Sequence, residues 1–166
     1  LSIYFLLDTS ASMFMGEPSK ADYACRVVAA LSYIALANLD RITIIPFSTG
    51  LGGMLAQKRG KGQIFSVIEF LKSLHAGGRT DLEVSFTQFI HRAKRKGVAV
   101  VASDLFDHKG FERGLNLLRY NRFDCYVLHV LEPSDFDPAL TGDVRLIDVE
   151  TNEVRELYGV DQAPTS

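Results

Sequence analysis

The chain has 166 residues, which is the length of one ordinary domain. It carries 18 Lys and Arg against 20 Asp and Glu, so there is no basic excess that would neutralise nucleic-acid phosphates. With 47% hydrophobic and 23% charged residues the composition is that of a globular protein and excludes a largely disordered chain. No apolar run approaches the roughly 20 residues of a membrane span.

The first part of the chain predicts a strand, a helix and a second strand. Residues 1–7 (LSIYFLL) form a continuous apolar run, which is typical of a strand covered on both faces. Residues 20–39 place apolar side chains at helical spacing after a Pro-Ser pair. Residues 41–48 (RITIIPFS) are rich in β-branched side chains and predict a strand, and a short edge strand is expected at residues 54–57.

The middle of the chain continues the alternation of helices and strands. The predicted helices cover residues 63–74, 82–96 and 111–120, and the predicted strands cover residues 98–103 and 124–131. Strands that alternate with helices form right-handed βαβ units, so the predicted fold class is α/β with a mostly parallel, doubly wound sheet. The two cysteines, Cys25 and Cys125, lie in apolar contexts and are interpreted as buried thiols rather than a disulfide.

The sequence changes character after Glu132. Residues 133–142 are acidic and contain proline, as expected of a loop. Residues 144–149 and 153–157 flank a short polar turn and predict a β-hairpin. We therefore assign residues 1–132 to the α/β domain and residues 133–166 to a C-terminal extension.

Polar side chains follow two of the predicted strands. Asp8-Thr9-Ser10-Ala11-Ser12 comes directly after the first strand, and Asp104 follows residues 98–103. A Gly-Gly-Arg-Thr-Asp segment that contains Thr80 precedes another helix. Ligands of such sheets bind at the carboxyl ends of the strands, so these groups are expected along one edge. A set of hydroxyls and carboxylates suits a hard cation, Mg²⁺ ahead of Mn²⁺ or Ca²⁺, and disfavours structural zinc.

The spacing of the first segment has a physical reason. On an extended loop, alternate side chains point the same way, so Asp8, Ser10 and Ser12 can converge. Neutral hydroxyl ligands leave much of the metal's charge uncompensated. An open position on such a cation would accept an Asp or Glu carboxylate from a partner, which describes a binding site without a turnover step.

The D-x-S-x-S segment, the Gly-Gly-x-Thr loop and the later Ser-Asp pair resemble a von Willebrand factor A (vWA) domain with a metal-ion-dependent adhesion site (MIDAS). The resemblance covers residues 1–131 and is closest to bacterial proteins of the DUF58 type; the DVRLIDVETNEV segment also resembles their tail. It implies a Rossmann-like sheet with one antiparallel edge strand. It also implies metal-dependent protein binding, often beside a MoxR-type AAA+ ATPase. Because the chain starts at Leu1 within an apolar run, we expect a fragment of a longer protein. The resemblance implies that it is a cytoplasmic domain that follows a membrane-anchored N-terminal part.

The resemblance also implies a role for each motif residue. Ser10, Ser12 and Thr80 would bind the cation directly, and Asp8 and Asp104 would act mostly through water. One departure is that Leu105 follows Asp104, where the family frequently has glycine. Taken singly, these Asp, Ser and Thr residues are equally well interpreted as helix caps, and only the three-part set in order favours a metal site.

Four further residues are candidates for the rim of the site. Asp107 is interpreted as a second carboxylate or as a cap of the next helix, and His108 as the nearest candidate base. Met13 and Phe14 suit an apolar rim for a protein partner as well as they suit the core.

Two other functions compete with a protein-binding module. A hydrolase or phosphotransferase could use the same cation, but the sequence lacks a G-x-S-x-G elbow and a P-loop. Asp8 is followed by Thr9-Ser10, so the D-x-D pair of an aspartyl phosphatase is also missing at this strand end. A scaffold domain with a vestigial site is the third interpretation. We expect that the protein is not an enzyme.

Overall fold

The computed structural model describes residues 1–132, 143–151 and 153–157. The strands are β1 (Ser2–Asp8), β2 (Arg41–Phe47), β3 (Leu55–Lys58), β4 (Val98–Ser103), β5 (Asp124–Leu131), β6 (Asp143–Asp148) and β7 (Val154–Leu157). The helices are α1 (Lys20–Ala37), α2 (Ile64–Lys72), α3 (Leu82–Arg92) and α4 (Glu112–Tyr120), with short 3-10 turns at Ala11–Phe14 and Lys61–Gln63. No helix in these ranges combines the length and the apolar character needed to cross a membrane.

All seven strands form one sheet in the order β3-β2-β1-β4-β5-β6-β7. The four central strands are parallel, since β1 pairs with β2 and β4, and β4 pairs with β5. The predicted edge strand is confirmed as β3, antiparallel to β2. The structure therefore confirms a Rossmann-like, mostly parallel α/β sheet.

The C-terminal hairpin is confirmed and is a continuation of this sheet. β6 runs antiparallel to β5, and β7 runs antiparallel to β6. The sheet thus has antiparallel strands at both edges, where the sequence predicted only one such edge. The predicted loop at residues 133–142 lies outside the described residues.

Apolar side chains fill the space on both faces of the sheet. Successive residues of a strand point to opposite faces, so Phe5 and Leu7 pack with α1 and α2 while Leu6 packs with α3 and α4. This two-sided burial explains the continuous apolar run of β1. Both cysteines are free thiols, as predicted. Cys125 is buried on the second face, whereas Cys25, on the first face, is only partly buried and not fully buried as the sequence suggested.

Most element bounds agree with the sequence prediction, and α3 is an exception. The bounds predicted for β4 and β5 are those observed, but α3 ends at Arg92 rather than at residue 96. The backbone turns extended at Ala93, and Gly97 then runs close against β1. A Cβ on Gly97 would lie 2.2 Å from the Ser2 carbonyl oxygen.

Candidate functional site

Three loops meet at the carboxyl ends of β1 and β4. Because these strands are parallel neighbours, with Leu7 opposite Ala102, Asp8 and Asp104 leave the sheet side by side. The loop before α3 reaches the same edge and carries Thr80. The structure thus brings together five side chains, here called the oxygen cluster: Asp8, Ser10, Ser12, Thr80 and Asp104.

Asp8 is the hydrogen-bonding centre of the oxygen cluster. Its carboxylate is fully buried and accepts hydrogen bonds from the Ser10 backbone N–H (2.8 Å), the Ser103 hydroxyl (2.6 Å) and the Thr80 hydroxyl (3.3 Å). Burial raises the pKa of the Asp8 carboxyl, hydrogen bonds from Ser103 and Ser10 oppose the shift, and the nearby Asp104 charge adds to it. The site therefore holds a carboxylate that a positive charge would stabilise.

The two serines connect Asp8 to Asp104. The Ser10 and Ser12 hydroxyl oxygens are 3.3 Å apart, and the Ser12 hydroxyl donates to Asp104 Oδ2 at 2.9 Å. Lys20 Nζ lies 2.9 Å from the same Oδ2 atom. Asp104 Oδ1 accepts from the Phe106 backbone N–H, which fixes the orientation of the carboxylate.

A tight approach of two loops places Thr80 at the cluster. The Gly77 N–H donates to the Thr9 carbonyl at 2.6 Å, and the Ala11 N–H donates to the Gly78 carbonyl at 3.0 Å. A Cβ on Gly77 would lie 2.5 Å from the Ser48 hydroxyl, so only glycine permits this approach. Asp81, and not Thr80, caps α3 by accepting from the Val84 N–H, which leaves the Thr80 hydroxyl directed at Asp8.

The residue after Asp104 departs from the family pattern in an informative way. Leu105 has a φ of 61°, in the left-handed region that favours glycine. Its N–H donates to the Ser103 hydroxyl, and its side chain packs on the α3 and α4 face of the sheet. The loop therefore has the backbone conformation expected of glycine, although the residue at this position is leucine.

The four candidate rim residues fall in different environments. His108 is exposed and lines a cleft of about 580 Å³ together with members of the oxygen cluster. Asp107 also lines it, but both its oxygens accept backbone hydrogen bonds, from the N–H groups of Leu82 and Lys109. Asp107 therefore supports the start of α3 and not, as the sequence suggested, the helix that follows it.

The sequence left Met13 and Phe14 open between an apolar rim and the core, and the structure places them in the core. Met13 is fully buried in the hydrophobic core on the α1 face of the sheet, and the partly buried Phe14 packs against that core. The short 3-10 turn after Ser10 directs these apolar side chains inward. Phe106, with 54% of its surface exposed, is the aromatic side chain that lines the cleft.

The chemistry of the oxygen cluster fits a hard divalent cation. Three hydroxyls and two carboxylates offer only oxygen ligands, as Mg²⁺ and Ca²⁺ prefer. Within the described residues, no three His, Cys, Asp or Glu side chains gather as metal ligands, so a cation here would depend on the hydroxyls. The hydroxyls of Ser10, Ser12 and Thr80 and the carboxylates of Asp8 and Asp104 are the groups that could hold it.

Sequence reasoning did not assign a role to Lys20 or Ser103. Ser103 ends an otherwise apolar strand, and this single hydroxyl beside Asp104 was the available signal. Lys20 is a cation in the first turn of a helix, where the helix dipole disfavours positive charge, and that conflict could have singled it out.

Nearly the whole chain matches one known protein family. Residues 1–163 match the family described as "Protein of unknown function DUF58", and the chain belongs to this family. Among curated relatives, the uncharacterized protein Rv1480 of Mycobacterium tuberculosis is 27% identical over 175 residues, as is Mb1516 of Mycobacterium bovis. The alignment covers 98% of this chain but 52% of each relative, so the chain spans about half their length.

Two solved structures share the fold. The conserved hypothetical protein BatB from Bacteroides thetaiotaomicron aligns with a TM-score of 0.64 at 17% identity, over 93% of this chain and 75% of that one. An aerotolerance-related membrane protein from Bacteroides fragilis aligns with a TM-score of 0.66 at 19% identity, over 93% and 76%. At these identities the likeness establishes a common fold.

Proposed function

We propose that this domain is a divalent-metal-dependent protein-binding module of the vWA type, in which the oxygen cluster is a MIDAS that holds Mg²⁺ and grips an acidic side chain of a partner. The observation that carries the proposal is the convergence of Ser10, Ser12 and Thr80 hydroxyls with two buried carboxylates at the mouth of an open cleft. Mn²⁺ and Ca²⁺ are the alternative cations.

The charge balance of the cluster supports a binding role. The hydroxyls are neutral, so a cation bound to them keeps positive charge on its open side. The cleft adds the exposed Arg79, whose charge also favours an anionic partner group. Exposed Phe106 offers apolar contact beside it.

The partner and the cellular setting are part of the same proposal. We infer a protein partner with an exposed Asp or Glu, and a MoxR-type AAA+ ATPase as a member of the same bacterial assembly. One solved neighbour is described as a membrane protein, and a cytoplasmic domain of a membrane-anchored protein is the corresponding proposal for this chain.

A metal-dependent hydrolase or phosphotransferase is the competing function. His108 lines the cleft with Ser10 and Ser12 and is the base that such an enzyme would use. Turnover of p-nitrophenyl phosphate or a p-nitrophenyl ester with Mn²⁺, lost in His108→Ala, would favour this alternative. We propose a non-enzymatic role because the hydroxyl partners seen for these serines are each other and Asp104.

Calorimetric titration of Mg²⁺, Mn²⁺ and Ca²⁺ into EDTA-treated, dialysed protein tests the proposal. Saturable one-site binding is expected for the wild type and is expected to be lost in Asp8→Ala and Thr80→Ala. Thr87→Ala is the matched control, since the exposed Thr87 hydroxyl donates along its own helix to the Glu83 carbonyl. Unchanged binding in both cluster variants would contradict the assignment of the site.

A further inference from the structure

A buried lysine, Lys20, lies next to the oxygen cluster and contacts Asp104. The Lys20 side chain is 5% exposed, and its Nζ lies 2.9 Å from Asp104 Oδ2 and 4.8 Å from the centre of the Phe106 ring. A lysine is seldom buried without a charge partner, and the first turn of a helix disfavours a cation. Helix stability therefore does not explain this residue, and its contacts point to the cluster.

Lys20 and a candidate metal ligand share one carboxylate oxygen. The Ser12 hydroxyl donates to Asp104 Oδ2, and the Lys20 ammonium pairs with that same atom. If Ser12 holds a cation, a single carboxylate, that of Asp104, therefore lies between this cation and the Lys20 ammonium. Little water intervenes, because Asp104 is fully buried, so the charge of Lys20 is poorly screened there.

Counting charges shows what this arrangement favours. Asp8 and Asp104 alone would carry two negative charges, and a bound divalent cation would neutralise them. With Lys20 included, the group has one net negative charge, and a divalent cation leaves it with one net positive charge. A partner's carboxylate then restores neutrality.

Building on the proposed function, we propose that Lys20 is an internal counter-ion that sets the specificity of the site. It weakens binding of the cation alone and strengthens the hold of the cation-loaded site on a carboxylate. The cation alone is therefore held less tightly, and the loaded site keeps a positive charge that a partner's carboxylate neutralises.

Titration of Mn²⁺ into Lys20→Met tests this inference. Met keeps the apolar stem and removes the charge, and we expect Mn²⁺ to bind at least about tenfold more tightly than to the wild type. Acetate serves as the carboxylate probe on the Mn²⁺-saturated protein, followed by broadening of its methyl resonance. We expect its affinity to fall at least about threefold in Lys20→Met.

Two controls separate charge from other effects. Lys20→Arg keeps the charge, and Lys109→Met removes the charge of an exposed lysine that pairs with Asp81 beside the cleft. Both are expected to bind Mn²⁺ within about twofold of the wild type. Equal Mn²⁺ affinity in Lys20→Met and the wild type, or a Lys20→Arg that binds as tightly as Lys20→Met, would overturn the inference.

The remaining outcomes are also decisive. If Lys20→Met is unfolded in EDTA, Lys20→Gln serves as the neutral variant instead, and its rise in melting temperature at saturating Mn²⁺ is compared with that of the wild type. A larger rise in melting temperature than in the wild type supports the inference. A smaller rise, or failure to fold with Mn²⁺, would mean that Lys20 serves only the stability of the fold and would overturn the inference. Absence of any Asp8-dependent Mn²⁺ binding in every variant would overturn the proposed function itself.

Discussion

The substitution Asp104→Asn provides a strong test of the electrostatics at the oxygen cluster. Asn has the shape of Asp, but only one of its two terminal atoms is an acceptor. With its carbonyl oxygen in place of Oδ1 it still accepts from the Phe106 N–H, and its NH2 group in place of Oδ2 can donate to the Ser12 hydroxyl oxygen. The substitution removes the negative charge that faces the Lys20 ammonium. The variant therefore leaves a buried cation without its counter-charge.

The magnitude follows from burial. The side chains of Lys20 and Asp104 are 5% and 0% exposed, and removing one partner of a buried ion pair costs about 3–5 kcal/mol. Because the amide can still pair with both the Phe106 N–H and, as a donor, the Ser12 hydroxyl, we expect the lower end, about 3 kcal/mol. In a domain of this size that corresponds to a fall in melting temperature of about 6–12 °C.

A second lysine–aspartate pair in the same protein is the internal control. Lys109 Nζ lies 2.7 Å from Asp81 Oδ2, a shorter distance, but the Lys109 side chain is 55% exposed. Desolvation raises the pKa of Asp81, and hydrogen bonds from Lys109 and the Val84 N–H outweigh this, so the net pKa is lowered. Asn caps a helix as well as Asp does, so Asp81→Asn should melt within about 2 °C of the wild type at pH 7.

Both variants are measured in EDTA by urea unfolding and by thermal melting followed by circular dichroism. A loss below about 1 kcal/mol in Asp104→Asn, or equal effects of the two substitutions, would refute the reasoning. Either result would mean that the Lys20 ammonium is solvated and that distance, rather than burial, governs these pairs.

Two further predictions concern the helices and the thiols. The Ser32 hydroxyl is buried in α1 without a hydrogen-bond partner among the described residues. Ser32→Ala should therefore raise the free energy of unfolding, measured in urea, by about 1 kcal/mol. A loss of stability would contradict this. Burial raises the pKa of the Cys25 thiol to about 11, with the Asp22 charge adding to it, and burial raises that of Cys125 to about 12. Since the thiolate is the reactive form, iodoacetamide at pH 8 should label the folded protein at under about 1% of the rate of a free thiol, with about a tenfold rise per pH unit below the pKa. Fast labelling before unfolding would show that the thiols are not shielded.

The central strands were determined by the sequence because their signal is local. An uninterrupted apolar run such as VAVVA in β4 must be covered on both faces, so its end is marked by the first polar residue, Ser103. The same logic placed Asp8 and Asp104 at one edge, since both follow strands that βαβ connections make parallel. The grouping of the oxygen cluster was therefore accessible without coordinates.

The tertiary structure decided what depends on contacts between distant segments. The burial of Lys20 requires Asp104, which lies 84 positions later in the chain. Asp107 caps α3, a helix that comes before it in the sequence, and no local pattern predicts such a contact. Met13 became a core residue only because a 3-10 turn follows Ser10. The C-terminal hairpin joins the sheet because β5 offers an edge with unpaired backbone groups. A local pattern specifies which face of an element is apolar, but which charged and polar groups meet across loops is set by packing.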